Sequence, residues 1–141
     1  MLLSAERLVV TYRDGAREVQ AVRDVSLAMA PRDFAVVSGP SGSGKTTLLM
    51  VLGGLLHPNA GQVAVKGESL YGMSVPARAA FRNRNIGFVF QSYNLLPSLT
   101  AIENVAMPLM FRGVPKEVRE KAAARMLKDV GLAHRLDHYP S

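Results

Sequence analysis

Cysteine is missing from all 141 residues, which excludes disulfides, zinc–thiolate sites and thiol nucleophiles. A reducing, cytosolic setting is compatible with that composition. Long apolar runs are missing too. The longest, Leu48 to Leu56, is broken by Gly53 and Gly54 and falls well short of the roughly 20 residues a membrane-spanning helix needs. Glu6 and Arg7 interrupt the apolar start, so no secretory leader is expected. No internal repeat or low-complexity tract is present, and no nucleic-acid-binding module signature accompanies the formal charge of +6. The loose basic group Arg78, Arg82 and Arg84 reads as a solvated surface, so a nucleic-acid partner is not expected. What remains is the composition of one modest globular domain, 48% hydrophobic and 20% charged, with a preference for anionic partners.

The stretch that organises this domain is FAVVSGPSGSGKTTLLMVL, from Phe34 to Leu52. A short apolar run, Phe34 to Val37, predicts a buried strand, and Leu48 to Leu52 predicts a buried helix. Between them, Gly39 to Thr46 spells G-x-x-x-x-G-K-[S/T], the phosphate-binding loop, in the strand–loop–helix context the motif requires. Glycines at 39, 42 and 44 let successive backbone N–H groups turn inward toward phosphate oxygens. The helix start adds free donors and a positive dipole end. Lys45 supplies a cation to β- and γ-phosphates, and the Thr46 hydroxyl is a ligand for Mg²⁺.

Upstream, Leu8 to Tyr12 reads as a strand followed by a turn at Asp14-Gly15, and Val19–Ala21 and Val25–Met29 as two further short strands. Such hairpins predict a mixed sheet beside the nucleotide-binding core. Tyr12 near the end of the first strand could stack on a base, although ordinary packing is the commoner role of such a residue. Downstream, Pro58–Gly61 marks a turn, Gln62–Lys66 a strand, Pro76–Arg84 a short basic helix, and Ile86–Phe90 a strand that delivers Gln91 at its carboxyl end. Ser92–Ser98 is a loop. Thr100 and Glu103 form a capping box ahead of the stripe Ile102, Val105, Ala106, Leu109, Met110. Pro108 should kink that helix, and Gly113 can end it. A last helix from Pro115 carries Val118, Ala122, Met126 and Val130 on one side, and Met107, Met110 and Met126 read as core filler.

The order of these features (Tyr12, GPSGSGKT, then Gln91 in FVFQSYNLLPSLTAIENV, then helices) resembles the ATP-binding subunit of ABC transporters across essentially the whole chain. The stretch after Gln91 looks most like the lipoprotein-releasing, macrolide-exporting and cell-division-associated branch. The resemblance implies an α/β fold: a P-loop core with an antiparallel β subdomain (1–91), then the start of a helical subdomain (92–141). It implies ATP and Mg²⁺ as cofactors. Tyr12 would stack on adenine, and Gly39 together with Ser41, Gly42, Ser43, Gly44, Lys45, Thr46 and Thr47 would hold the phosphates. Lys45 and Gln91 would be catalytic, and Thr46 and Gln91 would be metal ligands. The implied partners are a membrane permease and a second copy bound head to tail, on the cytoplasmic face of the plasma membrane. Pro31-Arg32-Asp33 departs from the usual Gly-Glu before the loop strand. The chain also stops at Ser141, where such proteins continue into their signature sequence, Walker B carboxylates and switch histidine. His134 and His138 read as surface residues. The expectation is the N-terminal part of a longer ATPase, inactive by itself. A P-loop small-molecule kinase and a non-catalytic nucleotide-binding module are the alternatives.

Overall fold

A computed structural model describes residues 1–15 and 17–141, with Asp14 given by its backbone. The chain forms two compact units, Met1–Ile86 and Gly87–Ser141.

The first unit is built on a four-stranded antiparallel sheet of order β2-β1-β3-β4, with β1 Leu3–Asp14, β2 Arg17–Met29, β3 Ala60–Val65 and β4 Glu68–Ser69. The two short strands expected after the first hairpin are one strand, β2. Register shifts between Ala5 and Leu8 and between Leu8 and Val10 break the period-two pattern, with Arg7 and Asp24 at φ 50° and 48° in the bulges. That irregularity made one strand look like two. The turn expected at Asp14-Gly15 runs into Ala16, outside the described residues. β4, only two residues long, carries no periodic signal in the sequence. Lys66 and Gly67, both at positive φ, turn the chain back so that Val65 pairs with Glu68.

Two helices cover this sheet. α1 (Lys45–Leu52) and α2 (Val75–Asn85) supply Val51 and Phe81 to a core with Leu8, Val10, Val22, Val63, Val65 and Leu70. The start of α2 follows its sequence, with Ser74 as N-cap accepting from the Ala77 N–H and proline in the first turn. α1 is only partly buried, since Leu49 is half-exposed while Val51 is fully enclosed.

Two expected strands do not form. Phe34–Val37 and Ile86–Phe90 pair with no neighbour among the described residues, and Phe34 is 91% and Val89 103% exposed. An apolar run signals burial, but a strand also needs a ladder partner.

In the second unit α3 (Ala101–Met110) packs on α4 (Lys116–Asp129), burying Ala106 on one side and Ala123 and Leu127 on the other. The capping box is present in full: the Glu103 N–H donates to Thr100 Oγ1, and the Thr100 N–H donates to Glu103 Oε2 at 2.9 Å. Pro108 lies inside α3, which ends two residues later, and Gly113 at φ 74° closes the turn. The apolar side of the last helix is exposed at Val118, Met126 and Val130. The buried stripe lies one position further along, on alanine and leucine. Met110 and Met126 are likewise exposed and fill no core.

Candidate nucleotide-binding site

The loop that precedes α1 is shaped by its glycines. Gly39, Gly42 and Gly44 take φ values of 149°, 79° and 90°, where a side chain is strained. At Gly44 the constraint is also one of space, because a Cβ there would collide with the carbonyl oxygen of Ala21 in β2. Around Gly42 there is open space. The loop is thus pressed against the sheet at one glycine and free at the other.

Gly44 is the N-cap of α1 and offers no side chain as a cap. The first intrahelical bond runs from the Leu48 N–H to the Gly44 carbonyl at 2.8 Å, so the N–H groups of Lys45, Thr46 and Thr47 lie ahead of the ladder. The start of α3 is the opposite case. There Thr100 caps with its side chain, and the Ala101 and Ile102 N–H groups donate to the carbonyls of His138 and Leu136. Of the two, only the α1 start keeps donors for an incoming anion.

Lys45 folds back over this opening. Its Nζ donates to the carbonyls of Gly39 and Pro40 at 2.9 and 2.7 Å and reaches Ser43 Oγ at 3.4 Å. Ser41, Ser43 and Thr46 are exposed around it, and Thr47 is half-buried. The hydroxyls of Tyr12 and Thr47 lie 3.3 Å apart, which holds a half-exposed aromatic ring beside the helix start. Tyr12 pairs with Val19 in β2, and Val19 to Arg23 line one wall of an open groove of about 600 Å³ whose other wall is the loop from Gly39 to Lys45. The first unit therefore brings together Tyr12, Gly39, Ser41, Gly42, Ser43, Gly44, Lys45, Thr46 and Thr47. Gln91 belongs to the second unit, where it is exposed at the head of the loop leading to α3.

The residues fit a nucleotide phosphate with its metal. The loop offers glycine-shaped backbone, unused helix-start donors, a primary ammonium and an exposed hydroxyl, the hard oxygen ligand that Mg²⁺ prefers. Among the described residues, no cluster of histidine and carboxylate side chains could hold a metal ion by itself.

The far end of α1 is held by residues the sequence reading did not single out. Gly54 at φ 71° closes the helix, its N–H donating to Val51 and the Leu55 N–H donating to Met50, the reciprocal pattern of a Schellman motif. The Tyr71 hydroxyl donates to the carbonyls of Val51 and Leu56 at 2.5 and 2.6 Å, a three-centre bond. Arg82 Nη1 donates to the Gly54 carbonyl at 3.0 Å. Burial pushes the Tyr71 hydroxyl up to about 12, against the opposing pull of Arg78 and Arg82. The Arg78 guanidinium also stands over the Tyr71 ring at 5.3 Å. Arg78 and Arg82 are thus half-buried anchors of this corner, and of the group read as solvated only Arg84 is exposed. A basic helix one turn after an aromatic residue was the available signal, but it does not distinguish anchoring from solvation.

Comparison with known proteins gives the site its relatives. A sequence model of the ABC transporter family matches residues 22–141. An uncharacterized ABC transporter ATP-binding protein of Thermotoga maritima is 48% identical over 130 residues, 92% of this chain and 56% of that protein. The lipoprotein-releasing system ATP-binding protein LolD of Pseudoalteromonas translucida is 41% identical over all of this chain and 61% of its own length. Among solved structures, the ATP-binding cassette MJ0796, a dimer in a post-hydrolysis state bound to ADP and Pi, superposes with a TM-score of 0.91 at 34% identity over 99% of this chain and 62% of that one. The chain spans about 60% of the length of relatives such as LolD. The matched residues contain the entire phosphate loop and all four α-helices, so both units carry the likeness: the chain belongs to the ABC transporter family.

Proposed function

We propose that this chain is the nucleotide-binding part of an ABC transporter ATPase, which binds Mg-ATP and, in the intact protein, couples its hydrolysis to a membrane permease. The observation that carries this reading is the uncapped start of α1 beneath a glycine-shaped loop, with Lys45 folded over it and the Tyr12 hydroxyl 3.3 Å from Thr47. In this reading Tyr12 stacks on adenine. Gly39, Ser41, Gly42, Ser43, Gly44, Thr46 and Thr47 surround the phosphates, and Lys45 neutralises charge on the β- and γ-groups. Thr46, and from the second unit Gln91, would be the ligands of Mg²⁺, which would offset charge on the phosphate oxygens. Water would attack the γ-phosphorus, helped into line by Gln91, as the bond to the β–γ bridging oxygen breaks and ADP and Pi are released, so catalysis rests on positioning and electrostatics.

The names of the relatives and the dimeric MJ0796 structures support a paired ATPase that works with a membrane component. Among the described residues no helix is long and apolar enough to cross a membrane. In this reading the protein acts peripherally, at the cytoplasmic face of the plasma membrane, through a permease and a head-to-tail second copy. Calorimetry of Mg-ATP binding to the intact protein tests the core of this reading. Lys45→Ala should weaken binding by more than about tenfold, roughly 1.4 kcal/mol. Unchanged affinity would remove the assignment.

A further inference from the structure

The side-chain amide of Asn104 is committed to a single loop. Its Oδ1 accepts from the Leu96 N–H at 2.8 Å, and its Nδ2 reaches the carbonyls of Leu96, Leu99 and Thr100 at 3.1, 2.9 and 3.0 Å. One side chain thereby holds both backbone groups of a residue eight positions upstream. The Leu99 N–H donates to the Leu96 carbonyl as well, so residues 96–100 form a closed, hydrogen-bonded corner on the start of α3. The chain just before this corner is different. Tyr93 is 87%, Leu95 51% and Leu96 46% exposed, and Asn94 takes a left-handed φ of 52°. Apolar side chains are displayed to solvent on a segment pinned at its downstream end, and Gln91 stands at its upstream end.

We propose that Asn104 is a positioning residue for Gln91. It fixes Leu96 as the downstream hinge of residues 91–96, so that pressure from a membrane partner on Tyr93, Leu95 and Leu96 moves Gln91 and is not lost in residues 97–100. This rests on the proposed function and on the role the family resemblance implies for Gln91, which is to communicate with the permease as well as to meet the metal or the attacking water. A residue that only stabilised the second unit would give a different pattern of kinetic effects, because its removal would lower basal and stimulated turnover together.

The test uses the intact ATPase reconstituted with its permease, comparing wild type, Asn104→Ala and Asn104→Asp. The aspartate keeps an acceptor for the Leu96 N–H but loses the three donor contacts. Both variants should leave KM for ATP and basal kcat within about twofold while permease-stimulated kcat falls about tenfold or more. Hydrogen exchange at the Leu96 amide should accelerate about a hundredfold in Asn104→Ala, with Val105–Met110 unchanged. A freed Leu96 amide with intact stimulation would overturn the proposal. So would an unchanged Leu96 amide, an equal loss of basal and stimulated turnover, or failure of both variants to fold. If the wild type itself shows no Lys45-dependent, permease-stimulated hydrolysis, the nucleotide reading fails first and the role of Asn104 falls with it.

Discussion

Gly42 and Gly44 share a backbone region but not a neighbourhood, and that difference is measurable. Gly42→Ala meets only the left-handed strain at φ 79°, about 1–2 kcal/mol. Gly44→Ala adds a collision with the Ala21 carbonyl, which the sheet cannot relieve without moving β2. Its denaturation midpoint in urea should therefore drop clearly more than that of Gly42→Ala. The sequence has glycine at both places, of which the motif requires only Gly44, and neither shows which one touches the sheet. Tyr12 is a second residue whose surroundings matter. Packing is the commoner role of a strand-end tyrosine and the family resemblance implies base stacking instead; its ring is half-exposed and its hydroxyl lies 3.3 Å from that of Thr47. Tyr12→Ala should lose about 1–3 kcal/mol of ATP affinity, and Tyr12→Trp should retain it. Equal affinities for the two variants would remove the stacking role. At Tyr71, a hydroxyl that stays protonated to about 12 in the fold ionises near 10 once unfolded. Its contribution is therefore whole below pH 10 and is lost as pH rises from 10 toward 12. Tyr71→Phe should be less stable at pH 8 by about 1 kcal/mol, with the gap narrowing above pH 10 in denaturation series.

The helices differ in how plainly their residues declare them. The start of α3 was legible because Thr100 and Glu103 carry complementary side chains three positions apart, and both reciprocal bonds form. Thr100→Ala should cost about 1 kcal/mol at neutral pH, read from thermal or urea unfolding. Bonds from the Thr100 backbone N–H and hydroxyl hold the Glu103 carboxyl below its ordinary 4.5. Its stabilising effect is therefore present above that pH and fades as the medium becomes more acid, so the gap between wild type and Thr100→Ala should narrow in acid by the hydroxyl–carboxylate bond and keep the part owed to the Glu103 N–H on Thr100 Oγ1. The face of α4 was illegible for a related reason. Val118, Met126 and Val130 look like a stripe, whereas the contact surface is Ala123 and Leu127 among consecutive alanines. Phe34–Val37 and Ile86–Phe90 were misjudged because hydrophobicity says nothing of ladder partners.

At the scale of the whole molecule, the α/β character, the antiparallel sheet and the helical unit after Gln91 were all readable, since turn glycines and periodic stripes mark them. The family followed from the phosphate loop together with the stretch around Gln91. The corner formed by Gly54, Tyr71 and Arg82 was not readable, because it joins backbone carbonyls to side chains 15 to 28 residues away. Residues 1–141 alone display Phe34, Val36 and Val89 to water, and such surface favours self-association. Sedimentation should show concentration-dependent oligomers of that polypeptide, and a monodisperse monomer would contradict this. The corner at the end of α1 has one more consequence, in the heat and entropy of binding. If nucleotide binds at the start of α1 as proposed, a far end already tied by Tyr71 and Arg82 would leave mainly the loop to be ordered, and the entropic penalty of binding would be smaller for it. Arg82 touches no part of the loop, yet Arg82→Ala should weaken ATP binding by a more negative entropy at nearly constant enthalpy.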